Sequence, residues 1–561
     1  MEREISWRRF LRAVVLLALV LAICLPVAPL AQQSSPAPKF ARGRYGMVAA
    51  STPYAADAAI RLLESGGNAV DAAAAAAFAL MVTDPPMTSL GGRTQMIFVR
   101  ADGTATGIDG ATESPAGVPP LAGEKEDREG YSVTPVPGNP AALAQAVEKF
   151  GRKKLAEVLA PAIGLAENGY AVTPAVGTIW LGYRERFARS AGMTLNYLKP
   201  DGSAFGPGEM YRNPRLAQVL RQIAAGGPRA FYRGAIAKQI VRDITAHGGY
   251  IREKDLSAYR ALPAAINRTN YRGYEIVAVG RRAWGGTLVE MLNILDQFSF
   301  DKGEPTAEET EIVARTIARA IADRLEAMRS AQGATPAVSA EMISTREFAR
   351  QRAEQIRSLL GKTAPSLAAP ERQPEPHDTT HLAVMDAEGN AVSLTTSIGP
   401  RFGARVATAE LGFIYAYSYR MHDIARPKLR DETEMTPTVV LRNGKPVLAI
   451  GAAGSERIPG AILQVISNLV DRGMDLEHAV AAPRIFCQGN KLQLDDRLPP
   501  SLSQPLGKRG FQIEVLTHTP AHHLGIVHAV QFDRGAGDFF GAADPVYDGK
   551  AAGPVAPPKK K

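Results

Sequence analysis

Cysteine is nearly missing from this chain: its 561 residues include Cys24, Cys487 and no other. Two thiols cannot build a disulfide framework, and without a CxxC pair neither a zinc ribbon nor a thioredoxin-like redox motif is available. HExxH and GxSxG are absent too, which removes the zincin and nucleophile-elbow signatures. Gly361-Lys362-Thr363 resembles the end of a phosphate loop, but Ile356 stands where the first glycine is needed. His518, His522, His523 and His528 lie close in sequence, yet Pro520 breaks the helix that His518 and His522 would have to share. No metal and no cofactor are expected. A concentrated basic stripe is also lacking. The net charge of +9 includes terminal Lys559, Lys560 and Lys561, and the charges of the body are interspersed. A nucleic-acid partner is therefore not expected.

What is present is ordinary globular composition, 45% hydrophobic and 22% charged, on a chain long enough to bury a large core. The apolar run at 13–25 follows Arg3, Arg8, Arg9 and Arg12. It is shorter than the ~20 residues needed to span a bilayer and has the order of a secretory signal peptide. Residues 1–31 are read as that signal, with cleavage near Ala28 or Ala31, and the protein as exported, periplasmic or secreted. No stable membrane insertion is expected once the signal is removed.

Residues 55–82 read as two helices broken at Gly66-Gly67, with Asn68 or Asp71 capping the second and the alanines of 72–77 marking a buried, closely packed helix. Further helical patterns cover 140–170, 215–247 and 306–360. From 362 to 378 the chain becomes proline-rich and non-helical. Period-two strands follow: His381 to Asp386, Ala391 to Thr396, Thr438 to Arg442, Pro446 to Ile450 and Ile526 to Phe532. These shifts divide the chain into a region 32–378, a region 379–548 and a disordered basic tail 549–561.

The junction Asp378-Thr379 is the most informative place. An internal threonine is a poor nucleophile, but an N-terminal one carries its own base, an α-amine of pKa ~8 that is partly neutral near pH 7. An exposed proline-rich loop ending in Asp-Thr-Thr suits a chain that cuts itself before Thr379. The hairpin supplies a test. If 386–390 form the loop, Met385 pairs with Ala391, and Thr379 falls opposite Ser397 on the same face. A shift of one residue would send Ser397 to the other face.

The chain resembles the γ-glutamyltranspeptidase (γ-glutamyltransferase) family of N-terminal-nucleophile hydrolases from about Gly46 to Asp548. The fragments occur in the family's order: Gly66 to Ala73, Val136-Pro137-Gly138, Leu159 to Ile163, Tyr271 to Tyr274, Thr379-Thr380-His381-Leu382 and Asp386 to Thr395. Met435 to Thr438, Ala482-Pro483-Arg484 and Ala543-Asp544-Pro545 follow. The resemblance implies a four-layer αββα sandwich, cut by self-processing between Asp378 and Thr379 into a large and a small subunit of one precursor. It implies Thr379 as nucleophile, Ser397 as the supporting hydroxyl, and backbone N–H groups of Gly454 and Ser455 as the oxyanion hole. There Ser455 replaces a family glycine, and a serine tolerates fewer backbone angles.

The departures gather where substrate would be held. The family arginine that grips the substrate carboxylate falls on Ala111, the substrate-binding asparagine on Gly399, and the Ser-Ser pair on Thr433-Glu434. Asp423 matches the aspartate that pairs with the substrate amine. Gly91-Gly92 continues as Arg93-Thr94 rather than as further glycine. Arg401, Arg405 and Arg420 are new charges on neighbouring segments, either anion-binding or structural. The expectation is an amidohydrolase or acyltransferase acting on a small amide or peptide, by γ-glutamyl transfer, glutathione hydrolysis or an altered acylase specificity. The rival is a non-catalytic envelope binding protein on the same scaffold.

Overall fold

The computed structural model describes residues 37–119, 129–330, 338–362, 379–418 and 426–559. The expected signal segment, most of the proline-rich stretch, Asp378, Arg420 and Asp423 lie outside the described residues. The described residues from Pro38 onward form one compact unit.

In chain order the strands are β1 (Phe40–Gly43), β2 (Gly46–Ala50), β3 (Arg93–Val99), β4 (Ala105–Gly110), β5 (Tyr170–Ala171), β6 (Met210–Tyr211), β7 (Leu262–Pro263), β8 (Ile266–Tyr271), β9 (Tyr274–Val279), β10 (Thr380–Asp386) and β11 (Ala391–Ser397). Then come β12 (Thr438–Arg442), β13 (Lys445–Ala453), β14 (Ile485–Gln488), β15 (Lys491–Asp495), β16 (Gln512–Leu516), β17 (Ile526–Asp533), β18 (Asp538–Ala543) and β19 (Lys550–Ala552). Two 7-stranded sheets dominate, in the orders β1-β18-β17-β13-β12-β9-β8 and β19-β2-β10-β11-β3-β4-β7.

Alternation along the strands explains the layers. Leu382, Val384, Leu394, Met96 and Phe98 point outward into the core formed with the helices Pro53–Glu64 and Ala69–Thr83. Ala383, Met385, Ala391, Ile97 and Val99 point inward, against Val277, Val439 and Ala449 of the facing sheet. The other face of that sheet, with Ile276, Val440, Ile450 and Val527, packs on the helices Gly285–Leu295, Ala307–Ser330 and Arg457–Val470. The result is helix, sheet, sheet, helix, the αββα sandwich.

The expected break at Gly66-Gly67 lies between the first two helices, and Gly66 has φ +88°. Asn68 caps the second helix, its Oδ1 accepting from Val70 and Asp71 N–H while the Asp71 carboxylate accepts from Asn68 N–H. Every alanine from Ala72 to Ala77 is buried. The expected disordered tail is corrected at its start: Lys550–Ala552 is β19, paired antiparallel with β2. Edge pairing supplies the order that a short segment between Gly549 and Gly553 does not signal by composition. Among the described residues, no helix is long and apolar enough to cross a membrane.

Candidate active site

The β10–β11 register has Met385 opposite Ala391 and Thr380 opposite Thr396. One step further out, Thr379 falls opposite Ser397, as the hairpin arithmetic anticipates. Asp386 fixes that register, because its carboxylate accepts from the N–H groups of Glu388 and Asn390 and from Ala69 N–H across the layer. Thr379 and Ser397 are both buried. Ser397 Oγ accepts from Gly399 N–H at 2.9 Å, which orients the hydroxyl.

The inward face of this sheet is graded. Its deepest rung is apolar, with Met385, Ala391, Val99 and Ala105 in line. Nearer the rim, His381, Thr395, Gln95 and Asp109 are in line and bonded: His381 Nδ1 lies 2.9 Å from Thr395 Oγ1, and Gln95 Nε2 donates to Asp109 Oδ1 at 2.7 Å. The rim rung contains Thr379 and Ser397. Polarity thus rises along this face toward the end of the sheet that holds Thr379.

Beside Thr379, the Thr380 hydroxyl donates to Ser51 Oγ at 2.7 Å, and Ser51 Oγ donates to the His381 carbonyl at 3.2 Å. Ser51 has one hydroxyl proton, so the 3.0 Å contact with His528 Nε2 requires that nitrogen to donate. Burial pushes His528 down to about 3 and His381 well below the usual histidine range, so both rings are neutral near pH 7. The network pins the first residues of β10 without placing a charge behind the threonine.

Between the two sheets, His381 rests on Gly451 of β13, and the same strand ends at Ala453. Ser393 Oγ donates to the Ile450 carbonyl one rung deeper, so β13 runs toward the same rim as Thr379. Its continuation, Gly454 (φ +126°) and Ser455 (φ +56°), turns into the Arg457–Val470 helix. Ser455 holds the left-handed conformation despite its side chain, and its buried Oγ has no hydrogen-bond partner. His523 packs beside Gly454, where an added Cβ would lie 3.1 Å from its Cε1. Sequence reasoning weighed His523 as part of a metal cluster and missed this neighbour, because nothing local connects the two segments. His518 is placed elsewhere, 3.2 Å from Asp495.

Thr433 and Glu434 behave differently from each other. The Thr433 hydroxyl accepts from Met435 N–H at 3.3 Å and closes a local turn. Burial raises the Glu434 carboxyl, while Arg93 and Arg324 act against that shift. Glu456, directly after Ser455, is pushed up to about 7 by burial and then by Glu434. Arg405 pairs with Glu129, and Arg401 donates to the Pro520 carbonyl at 3.2 Å.

Residues 55–554 match the family model described as Gamma-glutamyltranspeptidase. The chain is similar to the Acylase ACY 1 proenzyme of Pseudomonas sp. (strain V22), 35% identical over 501 residues, covering 85% of this chain and 88% of the relative. It is also similar to the Glutathione hydrolase proenzyme of Escherichia coli (strain K12), 28% identical over 582 residues, covering 96% and 97% respectively. Among solved structures, cephalosporin acylase from Bacillus halodurans matches with a TM-score of 0.83 at 27% identity, over 95% of this chain and 100% of that one.

Proposed function

Given that the chain belongs to the gamma-glutamyltranspeptidase family and is thus an amidohydrolase or transferase, we propose that it is an exported, self-processing N-terminal-threonine enzyme. In this reading it cleaves a γ-glutamyl or related acyl amide. The observation that carries the reading is the β10–β11 register, which brings Thr379 opposite Ser397 one step beyond the Thr380–Thr396 pair.

Maturation begins when Thr379 Oγ attacks the Asp378 carbonyl carbon. The peptide C–N bond breaks, its nitrogen takes the hydroxyl proton and becomes the Thr379 amine, and Asp378 is left as an ester on Oγ. Water hydrolyses that ester, releasing the Asp378 carboxylate and restoring the hydroxyl. In turnover the free amine accepts the Oγ proton while Oγ attacks the substrate amide carbon. The oxyanion is met by N–H groups of Gly454 and Ser455 at the start of a helix, where the backbone dipole favours negative charge. Collapse expels the leaving amine with the proton. Water, or a second amine, then resolves the acyl ester and returns the threonine. Ser397, held by Gly399 N–H, orients the nucleophile.

Relatives named as glutathione hydrolases and as acylases support an acyl amide as substrate. The absence of an arginine at Ala111 favours the altered-acyl reading over orthodox γ-glutamyl transfer. The signal-like N-terminus supports export. Denaturing electrophoresis with N-terminal sequencing tests the core of the proposal. Fragments beginning at Thr379, abolished together with anilide hydrolysis in Thr379→Ala, are expected. A mature chain intact across 378–379, or a Thr379→Ala variant that still hydrolyses the anilides, rejects the assigned nucleophile and leaves the scaffold as a binding protein.

A further inference from the structure

The rim rung continues beyond Ser397. Ser397 pairs with Arg93 of β3, and Thr94 pairs with Gly110 of β4, which puts Ala111 opposite Arg93 on its other side. Residues directly opposite one another in antiparallel strands project to the same face. Thr379, Ser397, Arg93 and Ala111 therefore share the inward face at one end of the sheet. Arg93 lies two strand spacings from Thr379, roughly 10 Å at ~4.8 Å per strand.

Arg93 is 3% exposed, and its surroundings look built. Nη1 is held by Asp431 Oδ2 at 3.1 Å. Asp431 is itself fixed by the hydroxyls of Thr112 and Ser418, and its N–H donates to the Thr112 carbonyl at 2.9 Å. Arg93 Nε is buried with no hydrogen-bond partner. Nη2 borders Gly399, two residues after Ser397, where an added Cβ would approach it to 3.5 Å. One end of the guanidinium is thus anchored to Asp431, Nη2 borders Gly399, and Nε is a buried donor without an acceptor. An unpartnered buried donor is costly, and a planar guanidinium fork matches a carboxylate better than any neutral group.

We infer that Arg93 is a specificity-determining residue that receives a carboxylate at the far end of the acyl group. The substrate class is then the mono-amides of short dicarboxylic acids, glutaryl-like in length. The inference rests on the Thr379 reading, since it measures the acyl chain from that hydroxyl. The arginine side chain takes up part of the gap along the rung, and a short acyl chain fills the remainder. Glu434 is the competing anion at this position, and burial holds it toward its neutral form.

The test is steady-state hydrolysis of glutaryl 4-nitroanilide against its neutral counterpart, in which the distal carboxylate is a primary amide. Wild type, Arg93→Gln, Arg93→Lys and Thr379→Ala are compared, with processing followed on gels. In wild type, kcat/KM should favour the carboxylate substrate. Arg93→Gln should lower kcat/KM for that substrate roughly 10²-fold while leaving the neutral substrate within a few-fold. Arg93→Lys, still processed into subunits, should recover part of the preference. Equal losses on both substrates, or no wild-type preference for the carboxylate, would overturn the assignment of Arg93 while Thr379-dependent turnover persists. Turnover that survives Thr379→Ala instead defeats the parent reading and takes this one with it.

Discussion

Gly451 lies against the imidazole of His381, so close that a Cβ at 451 would fall 2.3 Å from the ring's Cε1. This contact sets how the two sheets approach each other two residues from Thr379. Gly451→Ala must displace either a ring already bonded to Thr395 or the backbone of β13. The variant should lose about 1–3 kcal/mol of stability by overpacking, read by denaturant unfolding, and should mature more slowly. Wild-type stability together with wild-type maturation would show that the contact does not constrain the site.

The resemblance fragments Ala482-Pro483-Arg484 and Ala543-Asp544-Pro545 meet in a fully buried ion pair between Arg484 and Asp544. Arg484 also donates to the carbonyls of Val480 and Gly525, and Asp544 accepts from Val527 N–H. Burial pushes the Asp544 carboxyl up, but Arg484, His518 and the backbone donors outweigh it and hold the group below the usual aspartate range. A depressed folded pKa contributes stability above the unfolded value, and that stability is lost as pH falls through the folded one. Asp544→Asn should therefore cost about 3–5 kcal/mol near pH 7 and flatten the acid side of the stability curve. Equal acid sensitivity in variant and wild type would rule out the pair as its source.

Much of the site can be read from sequence because it is local. The alternation through Thr379–Asp386 and Ala391–Ser397, with a turn of fixed length, specifies that Thr379 meets Ser397. Arg93 could not be placed in that way. It pairs with Ser397 across a separation of some three hundred residues, and a period of two does not say which strand lies alongside. The same limit hid the contact of His523 with Gly454 and the pairing of β19 with β2. Ser455 illustrates a different one: its residue type argues against φ +56°, and the turn between β13 and the following helix overrides that preference.

That override makes Ser455 a direct probe of the oxyanion hole proposed at this turn. A left-handed conformation costs an L-residue roughly 1–2 kcal/mol and glycine almost nothing. Ser455→Gly keeps the N–H and removes the strain, so stability should not fall despite glycine's backbone entropy, and kcat should stay within a few-fold. Ser455→Val keeps the N–H but places a β-branched side chain in the strained region. It should lose about 2 kcal/mol or more, and up to ~10²–10³ in kcat if the N–H is turned away. Wild-type kcat in Ser455→Val, with stability clearly reduced, would remove this residue from the oxyanion hole.

Glu456 sets a pH dependence of defined sign. Burial, followed by the nearby Glu434, pushes its carboxyl up to about 7, and Gln488 donates to its Oε2 at 2.9 Å. Below that value the group is neutral. Above it, a negative charge sits one residue after the Ser455 N–H and opposes an oxyanion forming there, so this effect lowers the rate as pH rises through about 7. In the proposed mechanism the Thr379 amine works in the other direction, since it has to be neutral to act as base and an ordinary α-amine has a pKa of ~8. In the wild-type enzyme the limbs overlap and suppress each other. Glu456→Gln removes the descending limb, so kcat/KM measured from pH ~5 to ~9 should climb to an alkaline plateau, with its optimum moved upward. Stability should respond in parallel. A raised folded pKa gives stability that is fully present below the ordinary glutamate value and is lost as pH rises through about 7. The substitution should therefore flatten unfolding free energy across that window. A descending limb that persists unchanged in Glu456→Gln would assign it to another group, with Glu434 the next to substitute.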